Sequence, residues 1–223
     1  MIRHPFLAWW KAIAEGKFFF LLTFLLLFIG FSPLLRHVLP FRLVYDLSFT
    51  TVLLAGVIAA SDNCRQTILA TLLAAPMLFF MWYSYGKGQA GIHPIGLVFG
   101  ILFVGYTVIL IVGLFMKANE ITSHLVFASA SAYLLLGILW SFVYGIIHAF
   151  QANAFSEVVV EPYTLLYFSL VTLTTLGYGD IAPITQEARS LAVLEAIVGQ
   201  LYLAVIVARL VGIYIANETS KRR

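Results

Sequence analysis

Long, almost unbroken apolar runs organise this chain, at 18–35, 43–60, 67–85, 94–116, 125–149 and 188–216. Each reaches the roughly 17 to 25 residues that a helix needs to cross the hydrocarbon core of a bilayer. Six crossings would place both termini on one side. The first run begins after seventeen residues without a small-residue cleavage motif, so a retained helix is expected rather than a signal peptide. Trp9 and Trp10 are expected at the membrane interface before it.

One apolar segment is too short to cross. It runs over 163–173, between Glu161-Pro162 and Thr174. Pro162 stands where the first turn of a helix tolerates a missing N–H. The segment predicts a re-entrant half-helix whose C-terminal end turns its partial negative charge toward a cavity, which favours a cation over an anion. The loop after it is admissible at membrane depth only if it is buried in protein or lines water.

Composition excludes a soluble domain. Hydrophobic residues make up 62% of the 223 and charged residues 10%, the mean hydropathy is +0.99, and soluble domains carry about 25% charged residues. The net charge of +3 is therefore no sign of nucleic-acid binding. The basic residues divide between the two faces implied by six crossings. Arg3, Lys11, Lys17, Arg65, Lys117, Arg209, Lys221, Arg222 and Arg223 fall on the side of the termini, against Arg36, Arg42, Lys87 and Arg189 opposite. That asymmetry predicts cytoplasmic termini. Cys64 is the single cysteine; it can form no intrachain disulfide and is expected to serve as a packing residue.

The chemistry concentrates in Thr174-Thr175-Leu176-Gly177-Tyr178-Gly179-Asp180. Two glycines flanking one aromatic let the backbone alternate between ordinary and positive φ, since glycine has no Cβ penalty there. Successive carbonyls can then face one axis. A ring of such carbonyls competes with a cation's hydration shell without the deep trap that carboxylates would make, so an ion can both enter and leave.

Helix, short half-helix, this heptapeptide and a last helix together resemble the pore module of tetrameric potassium channels, over about residues 125–223. Leu176 stands where the family usually has valine, a swap that keeps an aliphatic residue and its carbonyl. The resemblance implies that K+ is coordinated by the carbonyls of Thr175, Leu176, Gly177 and Tyr178, with the Thr175 hydroxyl closing the innermost site and Gly179 forming the outer lip. Thr174 and Asp180 flank the filter, and Tyr167 and Phe168 of the half-helix would brace Tyr178. It implies an all-α membrane protein with six transmembrane helices, a re-entrant pore helix and a filter loop, assembled as a homotetramer with no cofactor beyond the K+ in the filter. A cyclic arrangement follows from a shared central pore; the number four comes from the resemblance.

The expected layout is an N-terminal interfacial segment 1–17, a peripheral four-helix part 18–116, a linker 117–124, a pore part 125–216 and a tail 217–223. Glu157, Glu161 and Glu187 join Asp180 at the outer mouth, opposed by Arg189, where they would raise the local cation concentration. In the last helix, Gly199 is read as a hinge or a packing glycine, and Gln200, Leu203 and Val207 as cavity-lining. Glu195 in the same helix is expected to support the filter by bonding the pore helix or its loop, because an unpaired carboxylate at membrane depth is expensive; a gating or pH role is the alternative. Arg209 is expected to snorkel to lipid phosphate. The run 94–116 contains no arginine, which argues against the arginine-based voltage sensing of related channels, and Arg42 with Asp46 reads as a local pair at the outer surface. The five histidines are dispersed without metal-ligand spacing; His148, near the turret, is the proton-sensor candidate against a passive interfacial role. The chain runs only a few residues past the last span, so no cytoplasmic ligand-binding domain is expected there. Nothing in it resembles an enzyme's catalytic set or a transporter's repeated halves. The reading is thus a multi-pass plasma-membrane channel for K+, with membrane lipids as its other partner and a less selective monovalent cation channel as the alternative.

Overall fold

The structure, a computed structural model, describes residues 5–31, 34, 40–61, 63–89, 93–156 and 162–221. Expectations that fall on Arg36, Glu157 and Glu161, or on the side chains of Trp9 and Trp10, lie outside the described residues. Within them the chain forms seven helices: α1 (Pro5–Phe31), α2 (Phe41–Ala59), α3 (Cys64–Gly86), α4 (Pro94–Lys117), α5 (Ser123–Phe150), α6 (Pro162–Leu173) and α7 (Gln186–Lys221).

Several boundaries have a local cause. His93 caps α4 by accepting a hydrogen bond from the Ile95 N–H at 3.3 Å, and Pro94 occupies the first turn with its φ already helical. Lys117 in the last turn of α4 complements the negative end of the helix dipole. Thr122 starts α5, its hydroxyl oxygen accepting from the Leu125 N–H at 3.2 Å. The segment between α4 and α5 is thus 118–122, and His124 belongs to α5, edge-on to the Phe18 ring at 4.6 Å.

Among the described residues α2, α3, α4, α5 and α7 are apolar and long enough to cross a membrane. α1 is 27 residues long, and among the described residues it contributes the apolar stretch Gly16–Gly30. An all-helical membrane protein with five span-length helices follows, and the sixth crossing depends on α1. At 36 residues α7 extends about 54 Å, well beyond the bilayer core.

One apolar core joins α1, α2, α4 and α5 through Phe18, Leu21, Phe49, Phe103, Ala132 and Leu135 among others. The Phe49 ring meets Phe142 of α5 edge-on at 5.7 Å, so α2 packs directly on the helix against which α6 also packs. α3 is peripheral; its buried residues Ala70, Ala74, Met77, Met81 and Ser84 make one narrow stripe. A second cluster, containing Tyr144, Phe155, Leu165, Phe168, Ile181 and Ala188, knits α5, the 151–156 turn, α6 and the start of α7 together.

Two expectations change here. Arg42 and Asp46 do pair, Nε to Oδ2 at 2.8 Å, but Asp46 is fully buried, so the pair faces the helix bundle rather than the outer surface. Arg42 Nη1 also donates to the Gln89 carbonyl at 3.3 Å, tying α2 to the α3–α4 connection. Cys64 is exposed at the start of α3 and packs no core, because the α2–α3 turn leaves that helix end uncovered.

Candidate functional site

The half-helix α6 is twelve residues long, and the chain after it stays tied to its C-terminal turn. The Thr174 N–H donates to the Leu170 carbonyl at 3.1 Å, the Thr175 N–H to Thr172 at 3.0 Å, and the Leu176 and Gly177 N–H groups both to Val171, at 3.0 and 3.4 Å. In a trans peptide the N–H and the preceding C=O point in opposite directions. With these amides turned toward α6, the carbonyls of Thr174, Thr175 and Leu176 point away from it, toward the open side.

Backbone handedness alternates along the same loop: φ is +58° at Thr175, +60° at Gly177 and +78° at Gly179. Glycine takes such values freely, but a β-branched threonine does so against steric strain. The Thr175 hydroxyl donates to its neighbour's carbonyl, Thr174 O, at 2.7 Å, and its oxygen lone pairs remain available to a cation. Leu176 and Tyr178 are 56% and 67% exposed, large apolar and aromatic surfaces that nothing within one chain covers.

Behind the loop lies a cavity of about 220 Å³ between Gly177, Gly179, Tyr167, Phe168 and Ala192. Tyr167, expected beside Tyr178, donates its hydroxyl proton to Asp180 Oδ2 at 2.7 Å. That bond holds the Asp180 carboxyl below the usual carboxylate range, so the group that ends the loop stays anionic. Phe168 meets Tyr144 and Phe155 edge-on at 5.0 and 5.2 Å. Residues 154–156 are held to 182–184 by backbone bonds from Ser156 N–H to Ala182 O at 2.9 Å and from Ile184 N–H to Ala154 O at 2.7 Å.

α7 packs against α5 and α6 along one face. A Cβ at Gly199 would stand 2.6 Å from the Leu173 carbonyl oxygen and 2.9 Å from Leu173 Cδ1. Of the two roles considered for Gly199, this geometry requires close packing, since the last residue of the pore helix rests on the glycine backbone. The Leu173 carbonyl also accepts from Tyr133 Oη at 3.1 Å, and Tyr202 Oη donates to Ser129 O at 2.7 Å. Gln200, Leu203 and Val207 are exposed, about 100°, 40° and 80° around the helix from Gly199 at 3.6 residues per turn. Glu195 is fully buried and bonded to the Ser169 hydroxyl of α6 and to Tyr144 Oη of α5, the latter at 2.5 Å. Arg209 does not snorkel outward: its Nη2 donates to the carbonyls of Met116 and Ala118, both at 3.0 Å, satisfying the C-terminal end of α4.

Glu187 is exposed in the first turn of α7, where a carboxylate is favoured by the helix dipole. Arg189 Nε donates to Pro183 O at 3.1 Å. Sequence reasoning did not single out Ser169, Tyr144, Tyr133 or Tyr202. The available signal was polar atoms at membrane depth, which must find partners.

Residues 121–216 match the family model described as "Ion channel", which takes in α6, the filter loop and all but the end of α7. The chain is also 34% identical over 80 residues to "Two-pore potassium channel 5" of Arabidopsis thaliana. That stretch is 35% of this chain and 18% of the relative, so the chain spans less than a fifth of that protein's length. No solved structure matches. Over these stretches the chain is similar to ion-channel proteins.

Proposed function

We propose that this chain is one of four identical subunits of a potassium-selective channel of the cell membrane, carrying K+ passively down its electrochemical gradient through a central pore. The observation that carries the reading is the left-handed backbone at Thr175, Gly177 and Gly179, together with amides bonded back to the pore helix. Carbonyls so aligned replace hydration oxygens for a cation while leaving it free to move on. In this reading Thr175, Leu176, Gly177 and Tyr178 coordinate the ion, and Thr174, Tyr167, Phe168 and Asp180 support them.

Oligomerisation is supported by α7. Only 11% of its apolar window is buried within the chain, against 28–50% for the other span-length helices. One filter strand cannot enclose an ion, and a shared axis would cover Leu176 and Tyr178 and let Gln200, Leu203 and Val207 line the inner cavity. The named Arabidopsis relative supports K+ as the ion. The proposed topology has six crossings with cytoplasmic termini, as the positive-inside rule favours, and opening is not driven by an arginine-bearing fourth helix.

Reconstituted liposomes test the reading through the K+ to Na+ flux ratio of the wild type and of Gly177→Ala. A Cβ at φ +60° adds roughly 1–2 kcal/mol of strain per subunit, and selectivity is expected to collapse. Unchanged selectivity would refute the filter assignment. A wild type that conducts Na+ as readily as K+ would instead be a less selective cation channel of the same architecture.

A further inference from the structure

Glu195 is the one carboxylate that the proposed ion path leaves without a task among the described residues of α7's membrane portion, and its surroundings are unusual in their proton count. Ser169 Oγ bonds Glu195 Oε1 and lies 2.7 Å from the Gly137 carbonyl oxygen. Tyr144 Oη lies 2.5 Å from Glu195 Oε2. A backbone carbonyl only accepts, and a serine hydroxyl has one proton to donate. With that proton on the Gly137 bond, the bond between Ser169 and Glu195 needs its proton from the carboxyl group. A protonated Glu195 closes the chain: Oε1–H donates to Ser169 Oγ, Ser169 donates to Gly137 O, and Tyr144 donates to Oε2. Three protons then meet three acceptors, with no buried group in the chain left over.

An ionised Glu195 would fit poorly. α5 turns Tyr144 toward it and, within electrostatic reach, Tyr133, whose hydroxyl is engaged with Leu173. The titratable side chains of α6 are engaged elsewhere, Tyr167 with Asp180 and Tyr163 with the Phe41 ring. No cation bonds to it among the described residues. The carboxyl also stands beside the C-terminal half of the pore helix, the end whose dipole repels a negative charge.

We propose that Glu195 is held as a carboxylic acid and that its proton positions the pore helix against α5 and α7, making Glu195 a positioning residue for the filter and the pore sensitive to alkaline pH. The proposal rests on the reading of 174–180 as the ion path. Loss of the proton removes the donor to Ser169, pulls the Ser169 proton off Gly137, and loosens the helix whose Val171 and Leu173 carbonyls anchor the filter and Gly199.

Two measurements on the full-length protein in liposomes test it. In infrared difference spectra of wild type against Glu195→Gln, a protonated-carboxyl stretch is expected in the wild type at neutral pH; its absence overturns the proposal. In Rb+ flux, Glu195→Gln is expected to match the wild type within about twofold at neutral pH, since an amide can donate to Ser169 and accept from Tyr144. Wild-type flux is expected to fall about tenfold as the pH is raised, the effect of about one lost hydrogen bond, while Glu195→Gln stays flat and Glu195→Ala is low throughout. A Glu195→Gln protein as impaired as Glu195→Ala, or sharing the wild type's pH profile, overturns the proposal. A wild type that passes no Rb+ at all defeats the channel reading by itself, and the infrared band then decides the proton.

Discussion

Replacing Gly199 with alanine tests the contact that seats the pore helix on α7. The new Cβ would lie 2.6 Å from the Leu173 carbonyl oxygen, and reaching the 3.4 Å of ordinary contact requires an opening of about 0.8 Å. The obstructing atom is backbone at the end of a helix, so it cannot swing away as a side-chain tip would. Overpacking of this kind costs about 1–3 kcal/mol, and the helix propensity gained by removing a glycine offsets about 1 kcal/mol. A net loss near 1 kcal/mol per subunit corresponds to about 2–4 °C in a domain of this size. Gly212→Ala is the matched control, because it lies in the same helix with nothing within 4 Å of its Cβ position. The assay is a heating series in detergent followed by size-exclusion chromatography of the surviving assembly, with Rb+ flux on the same preparations. Gly199→Ala is expected to melt lower and conduct less, and Gly212→Ala to match the wild type or exceed it. Equal melting of the two variants would refute the packing argument, and equal melting with altered opening would return Gly199 to the role of hinge.

Two further predictions concern the outer mouth and the topology. Tyr167→Phe deletes the hydroxyl bonded to Asp180 at 2.7 Å, so the Asp180 carboxyl is expected to titrate closer to the ordinary value of about 3.9. Because the wild-type group is lowered, its contribution is present above that ordinary value and disappears as the pH falls through the lowered one; carboxyl NMR of the two proteins checks this, and identical titration curves would contradict it. Cys64 is the single cysteine and is exposed, so a membrane-impermeant maleimide is expected to label it from the cytoplasmic side only. Labelling from outside would invert the proposed orientation.

What the amino-acid sequence determined by itself was set by local composition and length. Apolar runs long enough to span, the short stretch opening on Pro162, and the glycines at 177 and 179 each follow from properties of neighbouring residues, because a helix in lipid satisfies its own backbone and glycine carries its conformational freedom wherever it stands. The tertiary structure decided everything that depends on which distant atom meets which. The left-handed φ of Thr175 comes from amides pulled back to Val171, where residue type argues against it. Arg209 binds the end of α4 instead of lipid because a segment more than ninety residues away offers carbonyls within reach. Gly199 is occupied by the Leu173 carbonyl, and Glu195 by hydroxyls of two other helices, since membrane depth demands partners for buried polar atoms but leaves helix packing to choose them.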